Sequence, residues 1–433
     1  MISSARAPTV APQAGPGGLT RHGGFLRFWA ASAISDVGSQ ISALALPLIA
    51  ALMLGATPWQ MGLLSAAGSA PALLVSLFAG VWVDRFRRRR LLITADLGRA
   101  ALLVTIPLAS VLGLLRIEIL YVVALSAGVL TVLFDVSYLA FVPSLVAREW
   151  LVEANSKLEA TSAAAQVAGP GLGGLLVGML GAAFAVLIDA LSFVASAMFI
   201  SGVRVAEPAP ADNRTGVAAE IGEGLRVVLT RTILRALAGC SATTALFGRM
   251  FLAVYVLYMT RDLGLGSVGV GLVFATGGLG ALAGALVAGP VARRFGPGPT
   301  MITAQLLFGL TGMAVPLAVL VPRVALPLIV ASEFGQWMAV TVYYVNAVSV
   351  RQAMIPDQLQ GRVNATMRFL FGGARPIGAL IGGALGGVIG LPLTLVVAEF
   401  GMLLAFLWLL LSPVRGLRVL PTLDYAHRAP APG

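Results

Sequence analysis

Charged and hydrogen-bonding side chains interrupt the long apolar stretches of this 433-residue chain at only a few places. Those are the places where chemistry could happen. Asp36 stands inside the first apolar run with Gln40 one turn on, Arg249 and Arg375 stand in later runs, and Glu333, Gln336, Trp337 and Tyr344 fall along one helical face. A central charge in hydrocarbon costs about 2.5–3.5 kcal/mol even on a lenient insertion scale, so each is a functional candidate. A carboxylate held between apolar burial and a water path can load and release a proton, and Asp36 and Glu333 suit that role. Trp337 and Tyr344 offer flat apolar area with polar tips, suited to an amphipathic or cationic small molecule. The competing reading makes Asp36–Arg249 or Glu333–Arg375 buried pairs that fix helix packing. Asp189 and Glu399 stand open between packing and function. Asp96 and Arg99, three apart on one face, read as a local ion pair.

Other chemistries lack their residues. Both histidines, His22 and His427, lie near the chain ends, so no imidazole is available as a relay within the apolar runs. The single Cys240 excludes a disulfide framework and a cysteine metal site. The single lysine, Lys157, follows no Gly-rich loop, so a Walker phosphate loop is missing and ATP binding on this chain is not expected. No nucleophile–base pattern points to an enzyme, and no cofactor or metal is expected.

These side chains need elements that hold them in lipid. The chain is 58% hydrophobic and 11% charged, with mean hydropathy +0.93, far from the composition of soluble domains. Apolar runs long enough to cross a bilayer fall near 26–52, 59–83, 91–114, 118–141, 158–181 and 183–203. A second set falls near 236–259, 267–291, 300–321, 325–349, 364–389 and 392–412. Of the 29 Lys and Arg residues, only Arg116, Arg261 and Arg323 fall on the outer side when both termini are placed inside. Arg99, Arg249, Arg368 and Arg375 fall within runs, and all the others lie inside, as the positive-inside rule requires. The net charge of +11 therefore reads as topology bias and attraction to anionic lipid, not as a nucleic-acid surface. The expected organisation is a disordered cytoplasmic tail over 1–24, a bundle over 25–203, a loop with an interfacial amphipathic helix over 204–235, a second bundle over 236–413 and a cytoplasmic tail over 414–433. The loop reads first as a tether between the bundles.

The most charged stretch is Gly80-Val-Trp-Val-Asp84-Arg85-Phe-Arg-Arg88-Arg-Arg90, lying between two runs, and it must be a loop in water. It recurs in weaker form as Gly289-Pro-Val-Ala-Arg293-Arg-Phe295, displaced by 209 residues, as Asn155 recurs at Asn364. Glycine stripes such as Gly378, Gly382, Gly386 and Gly390 let helices approach closely. In Gly169-Pro170-Gly171-Leu172-Gly173-Gly174 the proline removes one helical hydrogen bond and the glycines soften the helix, so a gate there is plausible.

The charged loop resembles the signature loop of the major facilitator superfamily, with Arg87 where the family has glycine. The Gly169–Gly174 stretch resembles the fifth-span motif of that superfamily's antiporters, with Ala165 replacing a glycine. Phe28-Trp29, Ser35-Asp36, Ala95-Asp96-Leu97-Gly98-Arg99 and Glu223-Gly224-Leu225-Arg226 are similar to the bacterial branch associated with macrolide-type and siderophore export. The resemblance implies an all-α polytopic membrane protein of twelve transmembrane helices in two pseudo-symmetric six-helix bundles. It implies a central cavity lined by spans one, four, seven and ten, with Asp36, Gln40, Arg249, Glu333, Gln336, Trp337, Tyr344 and Arg375 as its proton and substrate groups. It implies a latch of Gly80, Asp84, Arg85 and Arg88, with Arg88 pairing to Asp135 and Asp84 to the eleventh span. The activity implied is proton-coupled efflux of an amphipathic small molecule by a monomer in the plasma membrane, with an importer or a lipid translocator as the alternative.

Overall fold

A computed structural model of the chain describes residues 19, 22–75, 86–205 and 217–420, and over these residues it is helical, without strands. Backbone groups in lipid must be satisfied internally, so long helices are the expected solution for apolar runs of this length. The spans are α1 (Gly23–Leu48), α2 (Pro58–Leu74), α3 (Arg88–Val111), α4 (Ile117–Leu145), α5 (Leu151–Leu180) and α6 (Ala182–Ser201). Then follow α7 (Thr232–Arg261), α8 (Ser267–Phe295), α9 (Pro297–Gly312), α10 (Ala325–Met354), α11 (Asp357–Val388) and α12 (Leu391–Leu404). Among the described residues 11 helical stretches are long and apolar enough to cross a membrane. The remaining span, α2, is described over 17 residues only.

The closely spaced runs within 158–203 and 364–412 are divided at Gly181 and Gly390, next to the bounds read from sequence. Gly181 (φ +85°) and Gly390 (φ +82°) occupy left-handed backbone that a side chain would strain, and they are displaced by 209 residues, like the loops. The same displacement governs how the halves meet. Helix α2 packs on α11 and α5 packs on α8. At the first seam a Cβ on Gly62 would lie 2.7 Å from the Gly383 Cα, and at the second a Cβ on Gly174 would lie 2.7 Å from the Gly271 Cα. Gly62 maps onto Gly271 and Gly174 onto Gly383 at 209 residues, so the two crossings are equivalents in the repeat.

The ends of the molecule differ. At the end away from the chain termini, one buried apolar core joins both halves, running from Leu48, Ile49 and Ile117 through Tyr255, Tyr258, Val315 and Leu391. Arg261 Nη2 donates to Ala56 O at 2.8 Å across the halves there. At the end bearing the termini the cores are separate: Phe25, Phe28, Leu92, Phe141 and Ile200 in one half, Leu237, Met301, Val350 and Leu409 in the other. The halves thus share one core at the far end and, among the described residues, have separate cores at the terminal end.

The inner ends of both tails are packed on the bundles. Leu19 is buried, and His22 Nδ1 accepts from Phe25 N at 3.0 Å, so the end of segment 1–24 belongs to the first bundle. Val414 and Leu417 are buried, and Gly298 N donates to Leu417 O at 3.0 Å, so the start of segment 414–433 belongs to the second. The linker helix (Val217–Thr230) is present, with Leu229 exposed. Its Val228 is buried with Leu234, Ile355, Val363 and Met367, which seats it on the second bundle.

Candidate functional site

In the second bundle Glu333 is buried on α10, and both its oxygens are engaged. Tyr255 OH on α7 donates to Oε2 at 3.0 Å and Trp337 Nε1 donates to Oε1 at 2.9 Å. Gln336 turns away from that pair, donating through Nε2 to Glu399 Oε1 on α12 at 3.3 Å. The Glu399 Oε2 is buried with no hydrogen-bond partner. So the expected face of α10 divides: Gln336 is an interior residue, while Trp337 (46% exposed) and Tyr344 (60%) are open. Gly277 of α8 makes room for the Trp337 ring, since a Cβ there would lie 2.6 Å from Trp337 Cδ1.

In the first bundle Asp36 is half-buried on α1, opposite the Ser162 hydroxyl, and Gln40 packs on Gly169. The Asp96–Arg99 pair forms as expected. Its setting was not legible: Ser196 Oγ on α6 donates to Asp96 Oδ2 at 2.7 Å, and the Arg99 guanidinium lies between the rings of Phe134 (4.4 Å) and Phe193 (4.0 Å). One cation thereby ties α3, α4 and α6. Asp189 accepts from Ser192 Oγ at 3.1 Å and packs against Gly38, which makes it a bundle-interior group.

Neither buried pair considered from sequence, Asp36–Arg249 or Glu333–Arg375, is formed; the ion pairs among the described residues are Asp96–Arg99 and Glu153–Lys157. For Glu333 the reason is geometric, since Tyr255 and Trp337 already occupy both oxygens. Arg249 is half-buried and Arg375 exposed, and they lie close enough to act on each other electrostatically. Arg368, on the same helix as Arg375, is exposed too. It was visible in sequence only as one more charge within the eleventh run.

Of the latch residues, Gly80, Asp84 and Arg85 lie outside the described residues. Arg88 Nη1 donates to Ala140 O at 3.0 Å, and the expected Arg88–Asp135 ion pair is not formed. Asp135 lies five residues beyond Ala140, about 7.5 Å further into the bundle. It is exposed to the space between the halves, where Arg99 and Arg368 are the cations that act on it. The fifth-span motif lies inside the continuous helix α5, with Pro170 in its interior. Gly169 and Gly173 face Gln40, Ile41 and Leu44 of α1, while Gly174 and the Pro170 carbonyl face Gly271 of α8.

Exposed charges at mid-helix cannot face hydrocarbon, so Asp135, Arg368 and Arg375 mark a water-filled cavity between the halves, open toward the terminal end. Known proteins share this build. The chain is 30% identical to the multidrug efflux pump Tap of Mycolicibacterium fortuitum over 89% of its own length and 94% of that protein's. It is 28% identical to the enterobactin exporter EntS of Escherichia coli O1:K1 / APEC, over 91% and 92% of the two chains. Its fold matches the inward-facing crystal structure of a bacterial homologue of the iron transporter ferroportin with TM-score 0.70, at 17% identity, covering 91% of this chain and 99% of that one. Residues 17–430 match the transmembrane secretion effector family. Eleven membrane-length helices among the described residues, arranged in two repeats, and these matches together establish that the chain belongs to the transmembrane secretion effector family of major facilitator transporters, and not to an enzyme family.

Proposed function

We propose that this efflux transporter is a proton-coupled antiporter of an amphipathic small molecule in the plasma membrane. Its terminal end faces the cytoplasm, and it works as a monomer by alternating access. The observation that carries the reading is Asp36: a mid-span carboxylate, half-buried and without an ion-pair partner among the described residues. Such a group can hold a proton when shielded and release it when the water path reaches it. Glu333, which has no cation at hydrogen-bond distance, is the second proton candidate. Trp337 and Tyr344 present the ring surface for the substrate, with Gln40, Arg249 and Arg375 as its further polar groups. Gln336 supports Glu399 from behind.

Bundles 25–203 and 236–413 rock about the two glycine crossings, tethered by 204–235. When the terminal side closes, Asp84 of the latch group Gly80, Asp84 and Arg85 meets the positive N-terminal end of α11. Direction follows from the relatives, which are named as an efflux pump and an exporter. The test is Asp36→Asn in proteoliposomes. Proton-driven movement of substrate should vanish while substrate counterflow without a gradient stays near wild type. Normal proton-driven transport by this variant would remove Asp36 from coupling.

A further inference from the structure

The second half presents a row of arginines to the cavity, and their surroundings specify a ligand. Helix α11 uses two faces for packing. Gly378 and Gly382 lie against Leu246 and Met250 of α7, whereas Ala379 and Gly383 lie against Gly62 of α2. Arg375 projects between those two faces, and Arg368, two turns nearer the terminal end, shares its side of the helix. On α7, Leu246 and Met250 face α11 and Ala253 meets Ala66 of α2, which leaves Arg249 directed at the same gap.

None of Arg249, Arg368 and Arg375 has a hydrogen bond or ion pair with another described residue. Arg249 and Arg375, both cations directed at this gap, are near enough to act on each other electrostatically. Asp135 is the acid that acts on Arg368, so that cation has a counter-charge across the cavity. The other two have no ion pair among the described residues. Two guanidinium groups directed at one gap within the spans, with no ion-pair partner among the described residues, form an arrangement that a bound anion would balance. A guanidinium offers paired donors in a plane, which matches a carboxylate, sulfonate or phosphate.

We infer that Arg249 and Arg375 form an oxyanion-binding site in the cavity, and that the transported compound is an amphipath bearing an acidic group, with Arg368 on its route toward the terminal end. The substrate class rests on the exporter reading above; the binding site does not.

The test uses the full-length protein in nanodiscs and two probes with the same ring, a naphthalenesulfonate and a naphthyltrimethylammonium, with binding followed by calorimetry. The sulfonate should bind more tightly than the ammonium, and its affinity should fall on raising salt. Arg249→Gln and Arg375→Gln should each weaken sulfonate binding on the order of tenfold, as expected for a lost hydrogen bond to a charged group. The charge-matched control Arg323→Gln, outside the spans, should change nothing. Arg375→Lys guards against misfolding: it should retain part of the affinity. Equal binding of both probes, or sulfonate affinity unchanged in both glutamine variants, overturns the site. Efflux of the ammonium probe from proteoliposomes with no sulfonate binding would remove the site and leave the exporter. Sulfonate binding with no movement of either probe would leave the site and remove the exporter reading.

Discussion

Glu333 accepts from Tyr255 on one oxygen and Trp337 on the other, linking α7 to α10 in the shared core. Glu333→Leu should leave a buried tyrosine hydroxyl unpaired, a loss of about 1–3 kcal/mol. Thermal unfolding in detergent would show it as a lowered midpoint, with Glu333→Gln much closer to wild type. Trp337→Ala removes exposed ring area and should raise the substrate Kd without reducing the folded fraction; an unchanged Kd would place the ring outside the substrate path. Arg99→Ala strands the buried Asp96, and breaking such a pair costs about 3–5 kcal/mol. Its midpoint should fall further than that of Arg99→Lys, which keeps the charge but not the flat stacking plane. At this scale sequence showed which charges stand in apolar runs, because each breaks the hydropathy visibly. It did not show their partners. Phe134 and Phe193 flank Arg99 from other helices, and nothing local in their runs distinguishes them from ordinary apolar filling. Gln336 shares a helical face with Trp337, yet the neighbouring α12 draws it to Glu399, a choice that spacing within α10 cannot contain.

Small-residue crossings govern the elements. Gly62 against Gly383, and Gly174 against Gly271, leave no room for a side chain. Gly62→Leu or Gly174→Leu should separate the helices at a cost of about 1–3 kcal/mol and slow transport at either seam alike. Transport rate normalised to folded protein is the readout, and a normal rate in both variants would show that the halves do not turn about these points. The repeat behind this symmetry was legible in short sequence echoes, where Gly80 and Gly289, or Asn155 and Asn364, keep one displacement. The crossings themselves were not, because a chain with 51 glycines offers many equivalent stripes and only the packed helices select among them. Span number and order were legible throughout, since apolar length is set by bilayer thickness. The docked start of the C-terminal tail was missed because its few apolar residues, Val414 and Leu417, form no run.

At the scale of the molecule, one apolar core closes the far end while separate cores leave the terminal end parted. An alternating-access transporter must exchange this arrangement for its opposite, and a ligand or proton shifts the balance only by binding one form better. The proposed latch acts on that balance. Asp84→Asn should hold more of the population in the form described here, seen as greater cysteine accessibility on the terminal side with unchanged insertion. The central claim is that outward movement of an amphipath is exchanged for protons. The direct measurement is purified protein in proteoliposomes with an imposed pH gradient and no ATP, recording an amphipathic fluorescent substrate and internal pH together. The account predicts substrate movement against proton flow, in a ratio that holds as either gradient is varied, and loss of both signals in Asp36→Asn. Substrate movement indifferent to the pH gradient, or movement in the same direction as protons, would contradict it.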